Sequence, residues 1–367
     1  AVNVVPYTAN TMLPEIRKRM RDRRGWEIQD YGDFRNLNAA AGRGRGAPGA
    51  GRGFQLDTTG RGRRGGGGGG RGGVSLEQMI ADSIPSSGWA FVTYESLARY
   101  GTNYYGLRNR IAILSEAFSH DPFDRRVAST YDFVAEILSY LAEHKTEIMK
   151  LEKDGDAKVA AWAKNPGSSP PLSLRSRMDT TRIEDVRVEQ ITPITDSSAK
   201  REPGMGMRQR TGIIKLVKMP VMASFTPTQT STLPFAYAFD AKTASALLPI
   251  LKVHGISVEQ LDAPATVTAQ AFAVDSVIER GRSETSRMLK DVTGRWNDAA
   301  SRSLPAGTYL IRAGQPYGLA AFYLLEPESE DGLMQWSFYD NIVAARSDFP
   351  VIRIVKPATI RSHAVRN

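Results

Sequence analysis

The sequence predicts an α/β sheet domain over residues 1–155, followed by a smaller α+β domain over residues 183–367. Three observations carry this. Strand-like and helix-like runs alternate through the first part, apolar residues recur at three and four places between Phe123 and Leu141, and proline, serine and glycine cluster between 156 and 182. With 367 residues and 41% hydrophobic content the chain can bury one or two sizeable cores.

Taken in order, Pro14–Arg24 reads as a short basic helix, with Ile16 and Met20 four apart, a proline at its first position and Gly25 just past its end. Residues 43–73 hold seven arginines against one aspartate, which is most of the net charge of +9. That segment is nearly devoid of apolar residues, so it cannot offset its ordering entropy and is expected to be a disordered insertion. Its Arg-Gly-Gly triplets at 64 and 71 resemble segments that bind RNA through phosphate charge and stacking. Phe54 is the one aromatic there, and the rest of the chain is nearly neutral, which argues against nucleic acid as the main partner. Gly44, Gly46 and Gly49 match a dinucleotide-binding spacing, but no strand precedes them and Pro48 interrupts them.

Trp89–Thr93 reads as a short strand. The apolar run Ile111–Leu114 reads as a buried strand that ends at Glu116, and Asp121 with Asp124 reads as a capping box opening a long helix. That helix carries one apolar stripe, Phe123, Val127, Tyr131, Val134, Leu138 and Leu141. Beyond His144 alternating lysine and glutamate continue to about Gly155, where the linker of residues 156–182 begins. In the second part, strands are expected at Gly212–Lys218, Thr266–Val274, Thr308–Arg312 and Val351–Val355. Helices are expected at Ala241–His254 and Pro316–Leu325. Asp275, Glu279, Glu284, Asp291 and the acidic run Glu326–Asp331 read as scattered or as charged loop.

With no cysteine, a disulfide scaffold, a thiolate zinc site and a cysteine nucleophile are all excluded. No run of 18 apolar residues occurs, so no membrane span is expected. Four histidines remain: His120 as a loop residue at the helix start, His144, His254 as a helix-end residue favoured by the macrodipole, and His363. His144-Lys-Thr-Glu147 has metal-ligand spacing, yet it lies on a charged helix end with no third ligand nearby. Glu116, leaving a sheet between apolar neighbours, suits a general base or acid acting on water. It equally suits a structural ion pair with Arg108, Arg110 or Arg125.

The stretch Tyr105–Phe123, with the helix that follows it, resembles the closing strand, catalytic glutamate and last helix of bacterial zinc carboxypeptidases of the carboxypeptidase A-like (funnelin) family. Leu304–Tyr309, Gln315-Pro316 and Tyr323–Leu333 resemble a C-terminal extension of some such enzymes. The resemblance implies a metallocarboxypeptidase-type hydrolase acting on a peptide or protein C-terminus, with Glu116 as general base toward zinc-activated water. Tyr104 and Arg108 are its candidates for holding the terminal carboxylate. It also implies an incomplete C-terminal part of a carboxypeptidase-like α/β/α sheet domain, and a periplasmic or extracellular location. The family's zinc ligands lie upstream of the glutamate, and residues 1–115 contain no histidine. The chain is therefore expected to lack the zinc site, either as the C-terminal part of a longer enzyme or as a degenerate, non-catalytic binding protein.

Overall fold

A computed structural model describes residues 3–36, 88–118, 121–180, 182–196, 207–283 and 285–365, in a mixed α and β fold. The expectations placed on residues 43–73, on His120 and on Glu284 lie outside the described residues.

The chain opens with one helical run longer than the basic helix expected. It comprises α1 (Val4–Tyr7), a π-helical turn at Thr8–Met12, α2 (Leu13–Arg19) and a second π turn at Met20–Arg24. Gly25 ends it at φ 72°, a left-handed conformation that glycine adopts without strain. Met12, Ile16 and Met20 are at most 1% exposed and pack with Tyr140 and Ile148. The short helix α3 (Gly101–Leu107) comes next, then α4 (Phe123–Glu143) and α5 (Lys145–Lys164).

The orientation of α4 reverses the expectation. Its stripe residues Phe123, Val127, Tyr131, Val134 and Leu138 are 42–73% exposed, while Glu136 and Tyr140 are buried. A second apolar face and a set of ion pairs select this side: Phe133, Ile137 and Tyr140, with Leu141 of the expected stripe, pack on Met12, Ile16 and Met20. The helical run presents arginines to α4: Arg19 makes paired bonds to Glu143 at 3.0 and 2.7 Å, and Arg23 and Arg24 both bond Glu136. Tyr140 lies under Arg19 as well, 5.3 Å from ring centroid to guanidinium carbon. The capping box is absent too: Pro122 is the N-cap residue, and Asp121 bonds Arg210 and Arg125 instead.

Ile111–Leu114 form no strand; residues 110–118 run without regular structure, and Leu114 is 44% exposed. Ile111 and Ile113 find their apolar contacts against the N-terminal helical run rather than in a sheet. Residues 156–182 are not an extended linker. α5 continues to Lys164, with Val159 and Ala163 in the largest core, and β3 (Leu172–Asp179) pairs with β6 (Ser224–Ser231). Gly155 lies inside α5, where a Cβ would come within 3.3 Å of the Asn109 side chain.

The other sheet of the first part crosses the expected boundary. Its order is β1-β2-β5-β4, from β1 (Asp33–Asn36), β2 (Trp89–Val92), β4 (Arg182–Pro193) and β5 (Arg208–Met222). Period-two alternation gives it two apolar faces, Ala90, Val92 and Met222 on one and Phe91, Val186 and Val221 on the other.

A seven-stranded antiparallel sheet makes the second part and curls into a half-barrel. Its strands are β7 (Ala236–Phe239), β8 (Glu259–Leu261), β9 (Ala265–Gln270), β12 (Ala300–Leu304), β13 (Tyr309–Arg312), β14 (Ile352–Ile354) and β15 (Ser362–Ala364). A separate ribbon joins β10 (Phe272–Arg282) to β11 (Met288–Trp296). The helix α6 (Ala241–Val253) starts where Asp240 accepts the Thr243 N–H at 2.8 Å, and α7 (Gly318–Leu325) is buried along its whole length. Tyr237, Phe239 and Ile311 face these helices, and Ala236, Ala238 and Leu310 face the inside of the curl.

The acidic run Glu326–Asp331 is not loop in solvent. Glu326 is fully buried and paired with Arg353, with the Tyr237 hydroxyl donating to it at 2.6 Å. Removing one partner of such a pair leaves an uncompensated buried charge. Arg353→Ala is therefore expected to lower unfolding stability by about 3–5 kcal/mol in urea titration, and pairing it with Glu326→Gln should recover part of that loss.

Candidate carboxylate-binding site

Arg108 is placed by backbone geometry. It caps the C-terminal end of α3, and Asn109 follows in the left-handed region at φ 52°, 1% exposed, with its side chain bonded to Asp156 of α5 at 3.2 Å. Arg110 locks the turn: it donates to the carbonyls of Arg108 and Asn109 at 3.1 Å each and to Asp156 at 2.9 Å. The Arg108 guanidinium carbon then lies 4.0 Å from the Tyr317 ring centroid, 5.5 Å from that of Tyr104 and 6.0 Å from that of Tyr105. Among the described residues no carboxylate comes within 4.0 Å of it. Stacking on aromatic faces leaves the in-plane N–H fork of a guanidinium pointing outward.

Beside Arg108, Tyr104 meets His254. The Tyr104 hydroxyl and His254 Nδ1 are 2.7 Å apart, with ring centroids at 5.3 Å. His254 ends α6 as expected, and Gly255 follows it at φ 69°. Burial, and secondarily the charge of Arg108, hold the imidazole below its ordinary value of 6.5. In the neutral tautomer that accepts from Tyr104 at Nδ1, the ring carries its proton at Nε2 as a second donor. Tyr104 and His254 also form part of the wall of an apolar cavity of about 150 Å³, lined further by Ala98, Leu107, Ile250 and Trp336.

Sequence reading missed His254 and Tyr317 as neighbours of the two candidates, because they lie about 150 and 210 residues away and carry no local signal. It also missed Asp331, which bonds the Arg99 side chain at 3.1 Å and the Trp336 indole N–H at 2.7 Å and so braces the cavity wall.

Glu116 is elsewhere. It is exposed in the irregular segment 110–118, and its neighbour is Tyr31, whose phenol is pushed up by burial and then by the Glu116 charge. None of the three arginines weighed as ion-pair partners bonds it: Arg108 stacks on Tyr317, Arg110 holds Asp156, and Arg125 holds Asp121. Glu116 shares no contact with Tyr104, Arg108 or His254 among the described residues.

The zinc implied by the resemblance does not fit the described residues. No group of three histidine, aspartate or glutamate side chains stands where it could hold a metal ion among them. His144 bonds Glu147 at 3.1 Å and stacks on Tyr140, His254 is taken by Tyr104, and His363 bonds Asp262 at 2.6 Å.

The geometry fixes the sign of the pH response. Because the fold holds His254 below its unfolded value, the unfolded chain binds the proton more readily. Its contribution to stability is complete above about pH 6.5 and is lost as pH falls toward the folded value. In histidine NMR titrations Arg108→Ala should raise the His254 midpoint toward 6.5; an unchanged midpoint would show that the guanidinium does not act on the ring.

No family model matches the chain, and neither a curated protein nor a solved structure matches it significantly.

Proposed function

We propose that this chain recognises the carboxylate end of a peptide or protein, as the substrate-holding part of a zinc carboxypeptidase-type hydrolase in which Glu116 is the general base. The observation that carries the first half is Arg108. Its guanidinium is positioned by a braced turn, flanked by the Tyr104–His254 pair, and has no carboxylate partner among the described residues. A planar fork of this kind matches a carboxylate bidentately, and the neutral imidazole adds a donor without repelling Arg108. The adjoining apolar cavity offers room for part of the terminal side chain.

The second half rests on the sequence resemblance around Glu116, and on that carboxylate being exposed to water. The described residues provide no zinc set, so no hydrolytic step is assigned to this chain acting by itself. The family resemblance further supports an exported protein, periplasmic or extracellular.

Calorimetric binding of short peptides tests the reading. A free C-terminus should bind and its amide should not, and Arg108→Ala should weaken binding by about 10- to 100-fold, the loss of charge-assisted hydrogen bonds. Equal binding of acid and amide would sink the proposal. Glu116→Gln should leave binding unchanged, and the chain incubated with zinc should release no C-terminal residue. Release that survives Glu116→Gln would remove Glu116 as the base.

A further inference from the structure

The largest feature left unexplained is the outward face of α4. Phe123, Val127, Tyr131, Val134 and Leu138 are 73, 52, 73, 42 and 60% exposed, on a helix whose opposite side is already satisfied by the N-terminal helical run. Such a face is normally buried against something. From Val127 to Leu138 the spacing is four, three and four, which is an a/d seam rather than a diffuse stripe, while Leu141 turns inward onto the N-terminal helical run. The middle of the seam is flanked by Ala128, Ala135 and Thr130, and the one charge on this face is Asp124 at its N-terminal end. Small flanks let another helix come close, and absence of charge is what an interface core requires.

We infer that α4 pairs with α4 of a second copy of this chain, antiparallel, about a two-fold axis between Tyr131 and Val134. In that register Tyr131 meets Val134 of the partner and Val127 meets Leu138, so that a positions face d positions throughout. The ends are complementary. Arg126 at the start of each helix comes beside the carbonyl end of the other, where cations are favoured, and antiparallel macrodipoles attract; Arg125 is already held by Asp121. With the alanine flanks, the seam offers on the order of 1,200 Å² over both copies, the lower end of what a specific pair buries. This inference is independent of the carboxylate site.

Two measurements on the full chain test it. Sedimentation equilibrium should show a dimer, and Val134→Glu, which puts two carboxylates at the axis, should raise its dissociation constant by about 100-fold or more with the circular dichroism spectrum unchanged. A chain monomeric throughout, or a dimer indifferent to Val134→Glu, overturns the inference. The chain has no cysteine, so introduced thiols report geometry directly. Mixed Val127→Cys and Leu138→Cys chains should be joined by a short bis-maleimide. Each variant alone should not, because equivalent positions then lie about 16 Å apart along the axis. Linking within each variant alone would show parallel pairing and refute the register.

Discussion

The fold depends on compensating the acid buried between Glu326 and Asp331. Glu326 and Asp331 are buried and Glu328 and Glu330 half-buried, so their charges need partners within the protein. Glu326 is held by Arg353 and Tyr237, Asp331 by the backbone and side chain of Arg99 and by Trp336, and Glu330 by Ser96 and the Ser176 N–H. Arg175 donates to the Glu328 carbonyl and reaches Asp291, which Arg280 and Gln335 also hold. Burial still pushes Glu328 and Glu330 up, so the hydroxyls and amides near Glu330 offset only part of its desolvation. The partners come from residues 96–99, 175–176, 237 and 353, so this one segment gathers the first part of the chain, β3 and the half-barrel. Buried ion pairs contribute little net stability against apolar replacements; what they exclude is any arrangement that leaves a member unpaired.

Local signals were legible where local physics decides. Gly25 and Gly255 ended their helices, and the expected strands at 212–218, 308–312 and 351–355 lie in or next to β5, β13 and β14. Periodicity gave α4 as a helix but could not say which side faces inward. The stripe is one apolar arc, but Phe133, Ile137 and Tyr140 make a second, and that one faces inward, together with Glu136 and Glu143 paired to arginines more than a hundred residues away. Composition misread residues 156–182 because Val159 and Ala163, four apart, are a weak apolar signal among lysines and prolines. The run Ile111–Leu114 has strand composition without strand partners, and a strand exists only through its neighbours.

The candidate site was legible in half. Tyr104 and Arg108 do lie together, within α3 and at its end, but what makes the guanidinium a candidate anion site is supplied by Tyr317 and His254 from across the chain. His254 looked like a helix terminus and is one; its bond to Tyr104 is a tertiary fact. Glu116 was selected as the end of a buried strand, and without that strand it stands in water beside Tyr31. The acidic run was read as solvated because charge alone suggests exposure, and the arginines that reverse this are not adjacent in sequence.

The four-stranded sheet has a consequence for the order in which the chain assembles. β2 pairs in parallel with β5, Phe91 against Val221, some 130 residues apart, and among the described residues the ladder partner of β1 is β2. During synthesis these two strands emerge long before their partner, so Phe34, Phe91 and Val92 spend that interval without a sheet to join. The β4–β5 hairpin, local in sequence, has the smaller loop-closure cost and is expected to form before the earlier strands close onto β5. The half-barrel needs nothing from those N-terminal strands to pair its own seven. The topology therefore favours assembly that runs backward along the chain, with the first strands made among the last to find their places.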